Sequence, residues 1–123
     1  MKEVLNTMSE IMTSLNINYD FLELKNQLAY PYVIGEYYEN GYSEESHKTT
    51  GEFLLTIWDR NISSINIIET NQKIKKKLGD YRTIKNDVAI HLSYSSSLPE
   101  LQNMDNLKRQ EIRIDVEYFE KGE

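Results

Sequence analysis

The chain contains no cysteine, two prolines, five glycines and a single tryptophan among its 123 residues. Without cysteine there is no disulfide framework, no thiolate metal site and no thiol nucleophile. The same absence fits a cytoplasmic compartment. Gly35, Gly41, Gly51 and Gly79 are too dispersed to build a phosphate-cradling loop. No apolar run approaches the roughly 20 residues that cross a bilayer. The N-terminal Met1-Lys2-Glu3-Val4 lacks the apolar stretch of a secretory signal. Positive charge is also short. A formal net charge of −6 argues against an open nucleic-acid-binding face. There is no internal repeat and no low-complexity segment.

What remains is the composition of an ordinary globular chain, 39% hydrophobic and 28% charged, with a length that fits one domain over residues 1–123. Nine tyrosines stand out. Tyrosine joins an apolar body to a polar tip, which suits strand faces and protein interfaces. Lys73, Lys75, Lys76 and Lys77 form the one basic cluster, placed to solvate the last turns of a helix and complement its dipole.

Residues 2–15 read as an amphipathic helix, with Leu5, Met8, Met12 and Leu15 at helical spacing and Val4 and Ile11 widening the stripe. Residues 19–24 alternate weakly, as a short strand or an extended connection. Residues 27–38 read as a strand in which Val33, Gly35 and Tyr37 face one way and Tyr32, Ile34, Glu36 and Tyr38 the other. Pro31 belongs at its start or on an edge, and Gly35 marks a bulge or a close backbone approach. Asn40-Gly41 is a strong hairpin-turn signal and opens a polar flap or hairpin tip over residues 39–51.

Residues 52–59 form the next strand, Phe53, Leu55 and Ile57 on one face and Leu54, Thr56 and Trp58 on the other. Both faces are largely apolar, so the strand is expected to be covered on both sides or to lend one side to a partner. Asp59-Arg60-Asn61 ends it. Ser63 or Ser64 caps a second helix whose buried stripe is Ile67, Ile68, Asn71, Ile74 and Leu78, and Gly79 closes it in the left-handed conformation. Residues 80–94 are a strand pair turning at Asn86-Asp87, or one irregular strand. Residues 95–99 read as loop, and 98–106 leave room for one helical turn. In the last strand, 111–119, Ile112, Ile114, Val116 and Tyr118 cover a core. Residues 121–123 are expected to fray. The economical assembly is α+β: a mainly antiparallel sheet with two helices packed on one face.

Reactive chemistry is sparse. His47 and His91 sit in separate elements, and Glu44 and Glu45 are adjacent and exposed, a poor basis for a carboxylate pair with split pKa values. His47 reads as a surface residue, since no second histidine lies near it. No catalytic constellation, metal site or cofactor site emerges.

The N-terminal helix, Tyr30-Pro31-Tyr32-Val33-Ile34-Gly35-Glu36, Glu52-Phe53-Leu54-Leu55-Thr56-Ile57-Trp58-Asp59-Arg60 and a helix ending at Leu78-Gly79 together resemble the tail-completion, or tail-terminator, proteins of long-tailed bacteriophages and prophages. Arg113-Ile114-Asp115-Val116-Glu117-Tyr118-Phe119 resembles their last strand; residues 84–107 carry no match. The resemblance implies a structural, non-catalytic subunit that forms a homo-oligomeric ring, typically a hexamer. Such a ring caps the last ring of tail-tube protein, ends tube polymerisation and offers a surface to the head-tail connector protein. It would sit in the virion, at the head-proximal end of the tail, after assembly in the host bacterial cytoplasm. It needs no membrane, cofactor or specific nucleic-acid contact, although DNA passes through the ring. On this reading Glu39, Tyr42, Glu44, Glu45, His47 and Lys48 are the partner-binding residues of the flap. Trp58 and Asp59 are candidates for a subunit interface, with Trp58 also read as plain core. The alternatives are a head-tail connector or stopper, a small acidic regulatory or immunity-type binding module, and an α+β enzyme using His47 or His91.

Overall fold

The computed structural model describes residues 1–22, 29–98, 101–102 and 104–120. Along the chain, α1 (Lys2–Ser14) leads to β1 (Asn18–Phe21), β2 (Tyr32–Ser43), β3 (Lys48–Arg60), α2 (Ile65–Leu78), β4 (Tyr81–Lys85), β5 (Val88–Ser97), the short β6 (Leu101–Gln102) and, after a 3-10 turn over Met104–Asn106, β7 (Leu107–Phe119). Period-2 alternation makes the two longest strands partners. β3 and β7 pair antiparallel from Lys48 opposite Phe119 to Arg60 opposite Leu107. The sheet order is β1-β2-β3-β7-β5-β4, with β6 continuing the β5 side of β7. Only β1 against β2 is parallel.

The side chains that sequence parity puts on one face, Phe53, Leu55 and Ile57 with Ile112, Ile114 and Val116, are buried under the apolar stripes of both helices. Val4, Met8, Ile11 and Met12 come from α1, and Ile67, Ile74 and Leu78 from α2. Removing this area from water, at about 25 cal/mol per Å², is the main force holding the layers together. The fold is therefore α+β, a mainly antiparallel sheet with its helices on one face, as the periodicity anticipates.

Local structure departs from expectation at several points. Asn40-Gly41 does not turn. β2 runs on to Ser43, and the register slips by one residue between Glu39 and Gly41, leaving Asn40 as a bulge. Thr50 donates its hydroxyl to Asn40 Oδ1 at 2.9 Å, which pins the bulge, and Gly41 does not take a positive φ. The hairpin reverses instead over residues 44–47, where His47 takes φ 55°. Most of the 39–51 flap is thus sheet, because Thr49 and Gly51 keep core-facing places opposite Tyr118 and Val116.

The strand expected over 27–38 begins at Tyr32, the Tyr30–Pro31 peptide before it is cis, and residues 27 and 28 lie outside the described residues. β1 is a strand of the 19–24 segment, of which 23 and 24 also lie outside them. Gly35 answers to a close approach rather than a bulge: the Tyr19 ring lies over it, with Oη 2.4 Å from where a Cβ would stand.

α2 keeps its stripe through Ile67, Ile74 and Leu78, but Thr70 replaces Ile68, which is 48% exposed. Ser64 makes no capping bond; Ser63 Oγ accepts the Ile65 amide at 3.1 Å, while Ser64 Oγ accepts from Lys108. Gly79 keeps right-handed values (φ −53°, ψ −44°), so what glycine relieves there is the Lys75 carbonyl, 3.2 Å from a Cβ, not a left-handed backbone. Residues 80–94 resolve as the β4–β5 hairpin. Asn86 and Asp87 both take positive φ (50° and 65°), as the favoured two-residue hairpin turn requires. The turn inside 98–106 is the 3-10 turn. β7 begins four residues before the expected 111, and residues 121–123 lie outside the described ones.

Candidate functional site

The face of the sheet away from the helices carries no covering element among the described residues. Its register sets side chains in rows: Tyr32, Trp58 and Arg109; Ile34, Thr56 and Glu111; Tyr38, Glu52 and Asp115; Lys48, Phe119, Ala89 and Ile84. Trp58 belongs here and not to the core. It is half-buried, with the Arg109 guanidinium 5.7 Å from its ring centre. The middle of the face is a ladder of opposite charges, Arg113 Nε 3.9 Å from Glu52 and Lys48 Nζ 3.5 Å from Glu117. Tyr38 donates to the Glu52 carboxylate, a bond that raises the pKa of its phenol. At one corner Ile84 (76% exposed) and Phe119 (39%) flank an open apolar groove of about 510 Å³ with Ala89, Arg82 and His91.

Asp59 is buried on the helix side, at 1% exposure. It stands opposite Lys108, itself 4% exposed, and accepts from Asn66 Nδ2 at 3.2 Å. Lys108 donates to the Ile62 carbonyl at 3.0 Å and to Ser64 Oγ at 3.3 Å. This set ties the start of α2 to the ends of β3 and β7. The strand does not break at Asp59, because it and Lys108 continue the ladder.

The six residues expected to bind a partner are divided. Tyr42, Glu44, Glu45 and His47 lie at the exposed hairpin tip, with the Tyr42 hydroxyl 3.4 Å from His47 Nδ1. Lys48 joins the outer-face ladder. Glu39 turns the other way. Its Oε2 accepts the hydroxyls of Tyr118 at 2.6 Å and Tyr37 at 3.0 Å. Burial and then the Glu39 bond push the Tyr118 phenol up to about 12, and the same two causes raise Tyr37. Tyr19 is also raised, chiefly by burial, and its hydroxyl has no hydrogen-bond partner among the described residues.

His91 has the partners of a catalytic set without the geometry of one. Asp80 Oδ1 lies 2.5 Å and Ser93 Oγ 3.3 Å from the same Nε2. A relay needs the hydroxyl and the carboxylate on opposite ring nitrogens. His47 lies at the hairpin tip beside Tyr42, and among the described residues no group of three or more His, Asp and Glu side chains is placed to hold a metal ion. The α2 lysines lie outside the core: Lys75 sits over the Tyr94 ring at 5.8 Å and Lys77 over Tyr81 at 5.5 Å.

Sequence reasoning missed the Asp59–Lys108 set, although a signal existed. Asp59 shares parity with Phe53, Leu55 and Ile57, as Lys108 does with Ile112 and Ile114. No protein-family model matches this sequence, and no curated protein matches it.

Proposed function

We propose that this chain is a structural assembly subunit of the tail-terminator kind, forming a homo-oligomeric ring that caps a phage or prophage tail tube. The ring would end tube polymerisation and present its other side to a head-tail connector protein. One observation carries the reading: β2, β3 and β7, which hold most of the three strand segments that resemble the family, are consecutive neighbours in the sheet, with α2 between β3 and β7 along the chain. The long strands leave one face and one hairpin tip uncovered among the described residues, which suits contacts with neighbours of different surface. No step of this function needs a cofactor or a catalytic residue, and no helix of the described residues is long and apolar enough to cross a membrane. Contact with passing DNA would be non-specific.

Native mass spectrometry of the chain at rising concentration, with and without polymerising tail-tube protein, tests the proposal. Rings of one size, and tubes that stop growing when the chain is added, are expected. A strict monomer that leaves tube length unchanged would sink it. Binding to filled heads in place of tube ends would transfer the reading to a connector or stopper.

A further inference from the structure

Among the described residues the sheet has two open borders, with acids along β2 and its hairpin tip and cations along β4. β4 is the terminal strand, and the Asn86-Asp87 hairpin fixes which of its groups are free. The pair flanking a two-residue loop, Lys85 and Val88, exchanges both backbone bonds, and bonding alternates from there. Arg82 and Ile84 therefore turn their amides and carbonyls outward. On the other border β1 covers β2 only over Tyr32–Gly35. The Gly35 carbonyl accepts the Leu22 amide at 2.7 Å, so by the same alternation Tyr37 and Glu39 direct theirs to the open side. Past Leu22, no described residue pairs with that border.

Between Tyr32 and His47 the sequence holds four glutamates and no lysine or arginine; Glu36 is exposed on β2, Glu44 and Glu45 lie at the hairpin tip, and Glu39 is bonded to Tyr37 and Tyr118. Beside β4 stand cations: Arg82 and Lys85 lie on the strand, paired with Asp80 and Glu10, and Lys77 of α2 sits 5.5 Å over the Tyr81 ring. Arg82 is 70% exposed, and the exposed Ile84 beside it offers apolar area to an added strand. An unpaired edge is a template for another strand, and proteins commonly blunt such edges with short strands, charge or cover. Here the β2 side offers only acids while the β4 side offers cations with acids of their own, so charge favours unlike borders over like ones.

We infer that the β2 border of one copy pairs with the β4 border of a second copy, extending the sheet from subunit to subunit. Because the two borders differ, the contact is heterologous and closes as a ring or runs on as a filament. This deepens the ring proposal and rests on it for closure alone.

Three variants test it by native mass spectrometry. Ile84→Pro removes an outward amide that no intramolecular bond uses, a change edge strands tolerate. Reversal of the β2 border (Glu36→Lys, Glu44→Lys, Glu45→Lys) makes both borders basic. Adding Arg82→Glu, on β4 itself, to that chain restores complementarity. The first two should raise the concentration for half-assembly at least about tenfold, with circular dichroism unchanged; the last should recover most of the loss. Assembly of the wild type should also weaken with salt. Folded Ile84→Pro and β2-reversed chains that assemble like the wild type would overturn the edge pairing and leave the ring proposal standing. Self-association of the β2-reversed chain that Ile84→Pro alone abolishes would mean β4 pairs with itself, and would overturn the inference likewise. Failure of the ring proposal reads out separately, as a wild type that is monomeric with and without tail tubes.

Discussion

The buried phenols make a quantitative prediction for alkaline pH. Tyr19, Tyr37 and Tyr118 are all held neutral by the fold, Tyr118 up to about 12. In the unfolded chain each ionises near pH 10. Above that pH the unfolded state binds fewer protons than the folded one, so stability falls as pH rises; below about pH 9 these groups contribute no slope. Each proton is worth about 1.4 kcal/mol per pH unit. Tyr19 counts in full, since its hydroxyl is buried, while Tyr37 and Tyr118, whose hydroxyls reach out to Glu39, are discounted for solvent screening. The slope should be about 3 kcal/mol per pH unit between about pH 10.5 and 12. Against a typical stability of about 5 to 15 kcal/mol, that suffices to unfold the protein cooperatively within a few pH units. Urea unfolding followed by circular dichroism across this range measures it, with ultraviolet absorbance reporting tyrosinate. The double variant Tyr19→Phe/Tyr37→Phe should lose well over half the slope. A wild-type slope no steeper than about one proton, roughly 1.4 kcal/mol per pH unit, would refute the placement of these rings.

Three substitutions check the rest of the structure by chemical denaturation. Gly35→Ala places a methyl 2.4 Å from Tyr19 Oη and should cost about 1 to 3 kcal/mol; in a Tyr19→Leu background most of that cost should vanish, since the two residues touch. Asp59→Ala strips one side from a buried polar set and should cost about 3 to 5 kcal/mol, a loss near zero showing that the site is solvated. Trp58→Ala, on the outer face, should cost less than about 2 kcal/mol, whereas a core tryptophan would cost about 3 to 5.

The strands and helices were legible because their patterns are local. Ile112, Ile114, Val116 and Tyr118 alternate strictly, and Met8 and Met12 repeat at helical spacing; each pattern has one low-energy use once a core exists. The apolar residues of β3 were less clear, since Leu54, Thr56 and Trp58 are as apolar as a core face. They are partly shielded by charged neighbours across the ladder, Arg109 and Arg113 among them, whose identity as neighbours depends on register. The Asn40-Gly41 error has the same origin. A turn there is locally favourable, but it would take Thr49 and Gly51 out of the ladder with Tyr118 and Val116. Tertiary pairing over several residues outweighs one favourable dipeptide. Of the site residues, the exposed tip was legible from its polarity, whereas the inward turn of Glu39 was not, because Tyr118 lies 79 residues away.

The outer face and the borders differ in what association would gain. On the face, Glu52 has Arg113 and Tyr38, and Glu117 has Lys48, so the charges have partners before any subunit arrives. Burying such a ladder would desolvate charges already balanced, which rarely yields net stability. At the borders the groups on offer are backbone amides and carbonyls, which carry no net charge, although Arg82 and Lys85 on β4 also have partners in Asp80 and Glu10. Each such bond is worth only about 0.5 to 1.5 kcal/mol net. Several in a row, with Ile84 covered and the charges of opposite sign, make a contact that is weak singly and selective for its counterpart. A ring multiplies it, because closure fixes every subunit at two borders at once. On the proposed pairing, the borders and not the aromatic face are therefore where subunits would meet.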